Sequence, residues 1–366
     1  MIAFPLAHKL LVLGNWNEDD EQNQLSVVDL QVRQAAEGAV ELASVESLAA
    51  WVTPGSTTGL AAADLGGGSC VVVSGHESGQ LCSLRLTVPT APGADPSQVE
   101  LAGGGDFAGA HLMPWLALHA GPIADLALNA DTREVATVGR DGAVHIVPLD
   151  HSGPPPRAFV PARASASMRA VAWASQQALV TAGTTGGLEV WDRRQGGAAP
   201  ALRSPLEWGA TGCPLLRGLT EADCQINCIA VHPSRPHLAA SGASAGCVAV
   251  WDLRFAAAPA HASLPGDAGE VWEVRFDPYA DSLAAGDAGA QPALLFCTDS
   301  GVLATARAAP SSKEYSTGST GVLGTRALYE EAASGIATFD VEAAGGQDLF
   351  AGTEQECLVY IRRPAC

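Results

Sequence analysis

Two nine-residue stretches, GGLEVWDRR at residues 186–194 and GCVAVWDLR at residues 246–254, end on the same Trp-Asp-x-Arg pattern and lie sixty residues apart. Each follows an apolar segment, a turn, a second apolar segment and a glycine-containing turn, in the same order. A repeat with this internal order is a supersecondary unit rather than a short chemical motif. The chain is therefore predicted to consist of copies of one unit that pack against each other.

The most regular copy spans residues 226–254 and predicts three strands, at 226–231, 237–241 and 247–251. Weaker copies align along the rest of the chain. The seven units cover residues 1–30, 31–88, 115–150, 168–194, 226–254, 270–308 and 336–363. Dividing the 366 residues by seven gives about 52 per unit, which exceeds the ~40–45 residues of a four-stranded propeller blade. Insertions must account for the difference.

The alternation of side chains indicates how such units pack. In the stretch 247–252, Trp251 shares one strand face with Cys247 and Ala249, while Val248 and Val250 occupy the other face. A lone sheet cannot bury both faces, but sheets stacked around an axis can. We therefore predict an all-β fold, a single seven-bladed β-propeller over residues 1–366, with Trp251 wedged between blades and Asp252 capping or turning the strand end.

The insertions are rich in Pro, Gly, Ala and Ser, a composition typical of surface loops. The four longest cover residues 87–111, 150–167, 195–212 and 309–331. Trp115, Trp208 and Tyr315 lie in or at the end of such segments, where an aromatic side chain is a natural interface anchor. The same side chains could instead fold back on the propeller.

Composition excludes several functions. A formal charge of −19 repels phosphate backbones and anionic lipid, so direct nucleic-acid or membrane binding is not expected. The start, MIAFPLAHKLLVLGNW, lacks the basic segment and cleavage site of a secretory signal and predicts a first strand. Nine scattered cysteines indicate reduced, mostly buried thiols in a cytoplasmic or nuclear protein. Cys224 and Cys228 have no partner pair at zinc spacing, which favours core thiols over a metal site.

Motifs that resemble catalytic sites have better structural explanations. GASAG at 242–246 matches a serine hydrolase pattern, but a strand follows Ser244 directly, so this serine is predicted to lie in an inter-strand turn. The acidic run 18–21 lacks the spacing of a calcium loop and is typical of a solvated hairpin tip. The glycine clusters and dispersed histidines match no phosphate, zinc or general-base pattern. We predict no catalytic residues, metal, cofactor or small-molecule substrate.

The Trp191-Asp192 and Trp251-Asp252 endings resemble those of WD40 repeats. Over a longer part of its length, the chain resembles the WD-repeat nucleoporins. The stretches that carry this resemblance are, in order, GNWNEDDEQNQLSVVDL, VATVGRDGAVHI, EVWDRRQGG, VHPSRPHLAASGASAGCVAVWDLR, EVWEVRFDP and AGTEQECLVYIRR. This resemblance implies a non-catalytic scaffold in the Y-shaped complex of the nuclear pore's outer rings, at the nuclear envelope. Its implied partners are the helical-solenoid nucleoporins of the Y-complex short arm and other Y-complex subunits. Its implied role is to support transport of protein and mRNA.

A second hypothesis comes from the last residue of each ending. The two W-D-x-R sequences resemble the box by which propeller substrate receptors engage cullin-4 ubiquitin ligases, and Arg194 and Arg254 would then contact the adaptor. The same letters are also ordinary strand endings. A third hypothesis, a propeller enzyme that uses a central channel, has no candidate residues in this sequence.

Overall fold

A computed structural model describes the chain as two compact units, Met1–Ala162 and Arg163–Cys366. The described residues are 6–17, 21–34, 40–66, 69–87, 100–101, 117–149, 155–162, 167–204, 219–220, 223–255, 258–264, 269–283, 292–308, 321–342 and 346–363. Within these ranges the secondary structure is almost entirely strand, as predicted. None of the helical segments described there has the length and hydropathy to cross a membrane.

The described strands of the first unit form three antiparallel sheets. Sheet 1 contains β1 (Leu6–Asn17), β2 (Gln22–Gln34) and β3 (Val40–Val52). Sheet 2 contains β4 (Thr57–Gly66), β5 (Ser69–His76), β6 (Leu81–Thr87) and β7 (Glu100–Leu101). Sheet 3 contains β8 (Ile123–Asn129), β9 (Glu134–Gly139) and β10 (Val144–Pro148). The strand predicted at the start of the chain is β1.

The described strands of the second unit form four antiparallel sets. Sheet 4 contains β11 (Met168–Ser175), β12 (Ala178–Gly183), β13 (Glu189–Asp192) and β14 (Leu202–Arg203). Sheet 5 contains β15 (Ile226–Val231), β16 (Leu238–Ala243), β17 (Val248–Asp252) and β18 (His261–Ser263). Sheet 6 contains β19 (Val271–Phe276), β20 (Ala293–Thr298), β21 (Val302–Ala308) and β22 (Gly321–Glu330), with a short helix α1 (Pro278–Leu283) after β19. Sheet 7 contains β23 (Ile336–Val341), β24 (Asp348–Thr353) and β25 (Leu358–Arg362).

The strands predicted in the most regular repeat are present, with bounds shifted by up to two residues at β16 and β17. Sheets 5 and 6 are also joined, because β18 pairs with the start of β22 in parallel. In the first unit, β3 lies in the range 31–88 that the sequence assigns to the second repeat but pairs with β2 of sheet 1. That residues 1–366 form one propeller domain stays a prediction.

Sheets 2 to 7 share a backbone feature that marks them as copies of one unit. Among the described residues, the first strand of each has a register shift near its start. The shifts lie at Thr57/Gly59, Ile123/Asp125, Met168/Ala170, Ile226/Cys228, Val271/Glu273 and Ile336/Thr338. A bulge re-aims the extra side chain, and here that side chain can reach the next sheet: Asn227 Nδ2 donates to the Val271 carbonyl at 3.2 Å.

The apolar core lies between successive sheets rather than at one centre. One cluster joins sheets 4 and 5 and contains Cys247, Ala249 and Trp251. A second cluster joins sheets 5 and 6 and contains Val248 and Val250. The predicted assignment of these five residues to two opposite faces of one strand is therefore confirmed. Equivalent clusters join sheets 1 and 2, 2 and 3, and 6 and 7.

The low-complexity segments contribute the outer strands. Within the four predicted insertions lie β7, the Val160 bridge to Val144, β14 and the ten-residue β22. The short strands β7 and β14 have a described partner on one side only, whereas β22 pairs with β21 on one side and, at its start, with β18 on the other. Sheet 1 also departs from the repeat, with strands of 12, 13 and 13 residues and no register shift between β1 and β2.

A buried ion pair ties sheet 7 to sheet 6. The Arg363 Nη1 and Nη2 atoms each donate to a carboxylate oxygen of Asp277 at 2.8 Å, and Arg363 Nε donates to the Gly346 carbonyl at 2.9 Å. The Arg363 guanidinium also lies 4.3 Å from the Tyr279 ring centroid. Paired charges with this many hydrogen bonds are the form in which ions are tolerated inside a protein.

Candidate functional site

The two Trp-Asp endings occupy equivalent places in sheets 4 and 5. Trp191 is the next-to-last residue of β13 and lies opposite Leu179, and Trp251 is the next-to-last residue of β17 and lies opposite Ala239. Both indoles are fully buried. Trp191 Nε1 donates to Thr181 Oγ1 at 2.9 Å. Each indole thus finds a hydroxyl on the neighbouring strand, which satisfies its only polar atom inside the core.

In the second ending, Trp251 Nε1 donates to Ser241 Oγ at 2.8 Å. Ser241 stands two residues beyond Ala239, as Thr181 stands two beyond Leu179. The repeated tryptophan therefore belongs to a repeated core arrangement. This placement is architectural, since neither indole reaches the surface.

The Asp and Arg of each ending form a rigid corner. Asp192 Oδ1 accepts from the Arg194 backbone N–H at 3.0 Å, and Arg194 Nη2 donates to Asp192 Oδ2 at 2.7 Å. Asp252 and Arg254 repeat this geometry, with distances of 3.0 and 2.6 Å for the same atom pairs. The predicted role of Asp252, to turn the chain at the strand end, fits this geometry.

Hydrogen bonding shifts the titration of both acids. The hydrogen bond from the Arg194 side chain, together with that from its backbone N–H, lowers the pKa of Asp192 to about 2. The hydrogen bond from Arg254 likewise lowers the pKa of Asp252, although partial burial opposes the shift. The pKa of the Arg194 guanidinium is raised by the same contact with Asp192. Both corners are thus fully ionised at neutral pH.

We expect this shift to be measurable. Because the folded pKa of Asp192 lies near 2 and its ordinary value is 3.8, its ionised form stabilises the folded state above pH 4, and this contribution disappears as the pH falls toward 2. Carbon-13 NMR titration of the Asp192 carboxyl should give a midpoint near pH 2, and Arg194→Gln should move it up toward 3.8. An unchanged midpoint in that variant would contradict the role of Arg194.

The arginines differ from the tryptophans in exposure. The Arg194 and Arg254 side chains are 75% and 60% exposed, and Phe255, next to Arg254, is 73% exposed. The other predicted interface residues, Trp115, Trp208 and Tyr315, lie outside the described residues. That Arg194, Arg254, Trp115, Trp208 or Tyr315 contacts a partner stays a prediction.

Sequence reasoning missed a polar cluster in sheet 3. His119 Nδ1 lies 3.0 Å from Asp141 Oδ1, and His119 Nε2 lies 2.9 Å from Thr137 Oγ1. Burial opposes ionisation of Asp141, but hydrogen bonds from Ala143 N–H and from His119 outweigh it and lower the pKa of Asp141. The available signal was a histidine shortly before β8 and an aspartate in the turn between β9 and β10.

The arrangement of Asp141, His119 and Thr137 has the composition of a nucleophile triad, but its threonine is buried. Thr137 is 0% exposed and His119 is 3% exposed. A buried pair in sheet 2 is similar, since Ser74 Oγ lies 2.9 Å from His76 Nε2 and both residues are 1% exposed or less. A nucleophile must reach its substrate, so the burial of Thr137 and Ser74 favours a structural role for these contacts.

The remaining chemical candidates are also structural. Ser244 lies in the turn between β16 and β17, as predicted, with its hydroxyl 3.4 Å from Asn227 Oδ1. Cys224 and Cys228 belong to different core clusters. Burial raises the pKa of Cys82 to about 12, so this thiol is protonated and unreactive. Among the described residues, no group of three His, Cys, Asp or Glu side chains could hold a metal ion.

Comparison with protein families places a recognised repeat at sheet 5. Residues 213–252 match the family described as "WD domain, G-beta repeat". The match ends on Asp252, the last residue of β17. The copy of the repeat that ends on Trp251-Asp252 thus matches a WD40 repeat.

Relatives are similar over longer stretches. The chain is 28% identical over 334 residues to "Nuclear pore complex protein NUP43" of Arabidopsis thaliana, which covers 87% of this chain and 81% of that protein. It is 30% identical over 148 residues to "Nucleoporin Nup43" of Mus musculus, a match that covers 40% of this chain and 35% of that protein. "Nucleoporin Nup43" of Homo sapiens is 28% identical over 145 residues, a match that covers 40% of this chain and 34% of that protein.

A fold comparison agrees with the repeat. A chain of the "Crystal Structure of Mitotic Checkpoint Complex" superimposes with a TM-score of 0.57 and 12% sequence identity, covering 99% of this chain and 92% of that chain. At this identity the likeness concerns the fold alone, and it bears out the predicted WD40-propeller fold class. The chain thus contains a WD40 repeat at residues 213–252, and its sequence is similar to those of the Nup43 nucleoporins.

Proposed function

We propose that this chain is a structural subunit of the nuclear pore complex, located at the nuclear envelope and without catalytic activity. The observation that carries the proposal is the 28% identity to the Arabidopsis nuclear pore protein over 87% of this chain and 81% of that protein. A match of this length extends far beyond the single recognised repeat at residues 213–252. Similarity of the repeat alone would support only a binding platform.

Within the pore, the proposed partners are the helical-solenoid nucleoporins of the Y-complex short arm and other Y-complex subunits. The chain would then hold these subunits together and so support transport of protein and mRNA. The burial of Thr137 and Ser74 beside their histidines favours a binding role over hydrolysis. The formal charge of −19 favours protein partners over nucleic acid or membrane.

Localisation tests this proposal. The full chain, tagged at its genomic locus with a fluorescent protein, should mark the nuclear rim in punctate form. It should co-purify with large helical nucleoporins in comparable amounts. An even distribution through the cytosol, in a cell whose other tagged nucleoporins mark the rim, would overturn the proposal.

The ubiquitin-ligase hypothesis stays a prediction with its own test. No relative named above is described as a ligase subunit, and the Asp192 and Asp252 contacts explain Arg194 and Arg254 as corner residues. The variant Arg194→Glu should keep its rim localisation if the chain is a pore subunit. Two results together would favour the ligase instead. The wild type would give no rim signal, and a ligase adaptor that co-purifies with the wild type would be lost in this variant.

A further inference from the structure

Phe255 is a large aromatic side chain held outside the core on a rigid turn. It is 73% exposed, and its backbone N–H donates to the Asp252 carbonyl at 2.9 Å. The Arg254 backbone N–H donates to Asp252 Oδ1 at 3.0 Å. These bonds fix the turn 252–255, which we call the Phe255 corner, so a partner would not need to order it on binding.

The matching corner of sheet 4 shows that the fold does not require this aromatic residue. Asp192 and Arg194 make the same hydrogen bonds there, yet the residue equivalent to Phe255 is Gln195. Gln195 is exposed too. The phenyl ring of Phe255 is therefore explained neither by burial nor by the geometry of the corner, which points to a role outside the fold.

One cationic side chain, Arg254, lies beside the exposed ring, and Arg235 lies in an adjoining turn, where its Nε donates to His232 Nε2 at 3.0 Å. The Arg254 guanidinium lies 5.8 Å from the Phe255 ring centroid and is 60% exposed. The turn between β15 and β16 adjoins the corner, because the Leu253 backbone N–H donates to the His237 carbonyl at 2.7 Å. Arg235 lies in that turn. Aromatic and arginine side chains together are the residue types enriched at interface hot spots.

The formal charge of this region is opposite in sign to that of the chain. Residues 232–237 and 251–255 contain Arg235, Arg254 and Asp252 as their charged residues, so their net charge is +1. The neighbouring corner at 191–195 adds Arg193, Arg194 and Asp192, again +1. Ala174 of sheet 4 and Val231 and Leu253 of sheet 5 pack against one shared cluster. The whole chain carries −19, so an acidic segment is attracted here and repelled by the chain's overall charge.

We propose that the Phe255 corner, together with Arg235, is the docking point for an acidic segment of a partner protein, which places an apolar side chain on the Phe255 ring and carboxylates beside Arg254 and Arg235. Only the expected identity of the partner, a nucleoporin, rests on the proposed function. The docking chemistry stands on the corner itself.

Photo-crosslinking in cells tests the proposal with a matched control. The full chain would carry benzoylphenylalanine in place of Phe255 or, as the control, in place of Gln195, and the crosslinked partner peptides would be sequenced. Position 255 should yield one partner segment with net negative charge and at least one large apolar residue, in at least about ten times the amount obtained from position 195. Equal yields, no crosslink at 255, or a neutral or basic partner segment would overturn the proposal.

Three substitutions complete the test. Phe255→Gln, which copies the sheet 4 corner, and Arg254→Glu should each reduce recovery of that partner about ten-fold, whereas Phe255→Leu should retain most of it. Thermal unfolding of Phe255→Gln should match the wild type, because the ring is not buried. If the crosslinked acidic segment belongs to a protein outside the nuclear pore, the proposed function is overturned and the docking proposal stands. If the chain marks the nuclear rim but gives no crosslink at position 255, the docking proposal is overturned and the proposed function stands.

Discussion

Replacing Trp251 with alanine is expected to lower the free energy of unfolding by about 3–5 kcal/mol. The indole is fully buried and fills the cluster between sheets 4 and 5. Its loss would leave a cavity that β-strands of two sheets cannot close. It would also leave the Ser241 hydroxyl without its indole donor. Chemical denaturation followed by circular dichroism measures the change, and Trp191→Ala should behave in the same way.

A matched control for this prediction lies four residues further along. Phe255→Ala also removes an aromatic ring, but that ring is 73% exposed, so the change in unfolding free energy should stay within about 0.5 kcal/mol. If Trp251→Ala were as mild as Phe255→Ala, the interpretation of the Trp-Asp endings as core architecture would be wrong.

Replacing Arg363 with alanine is expected to lower the free energy of unfolding by about 3–5 kcal/mol, by a different mechanism. Asp277 is 0% exposed, and the variant would leave its carboxylate buried without the two hydrogen bonds from the guanidinium. The remaining cation, Arg307, is 4.0 Å away and half exposed. Unfolding would be measured by chemical denaturation, as for Trp251.

Two further variants separate this mechanism from a general effect of losing charge. Arg362→Ala removes the adjacent arginine, which is 37% exposed and 3.8 Å from Asp348, and should cost about 0–1 kcal/mol. The double variant Asp277→Leu and Arg363→Met should recover much of the loss, because it removes both buried charges. A double variant less stable than Arg363→Ala alone would contradict this explanation.

The faces of the inner strands could be predicted from the sequence because alternation is a local signal. Cys247, Ala249 and Trp251 alternate along the strand with Val248 and Val250. Alternate side chains point to opposite faces, so the two sets contact different neighbouring sheets. The three strands of the repeat at 226–254 could be predicted for the same reason. Of the candidate interaction site, the corner residues Asp252 and Arg254 were found because they follow the repeated tryptophan directly.

Other features could not be predicted because they depend on contacts distant in sequence. The Asp277–Arg363 pair joins residues 86 positions apart, and neither residue belongs to a repeated motif. The strand β22 lies in a stretch whose Gly, Thr and Ser content indicates a loop. It pairs with β21 and, at its start, with β18 in parallel. The exposure of Phe255 follows from the turn that Asp252 closes, which the sequence pattern alone does not reveal.

Affinity purification of the tagged full chain at moderate salt, with quantification of every co-purifying protein, decides whether the chain is a scaffold subunit of the nuclear pore. We expect helical nucleoporins of the Y-shaped complex in amounts comparable to the chain itself. Recovery of a cullin-4 adaptor in comparable amounts, with nucleoporins no more abundant than in an untagged control, would contradict it.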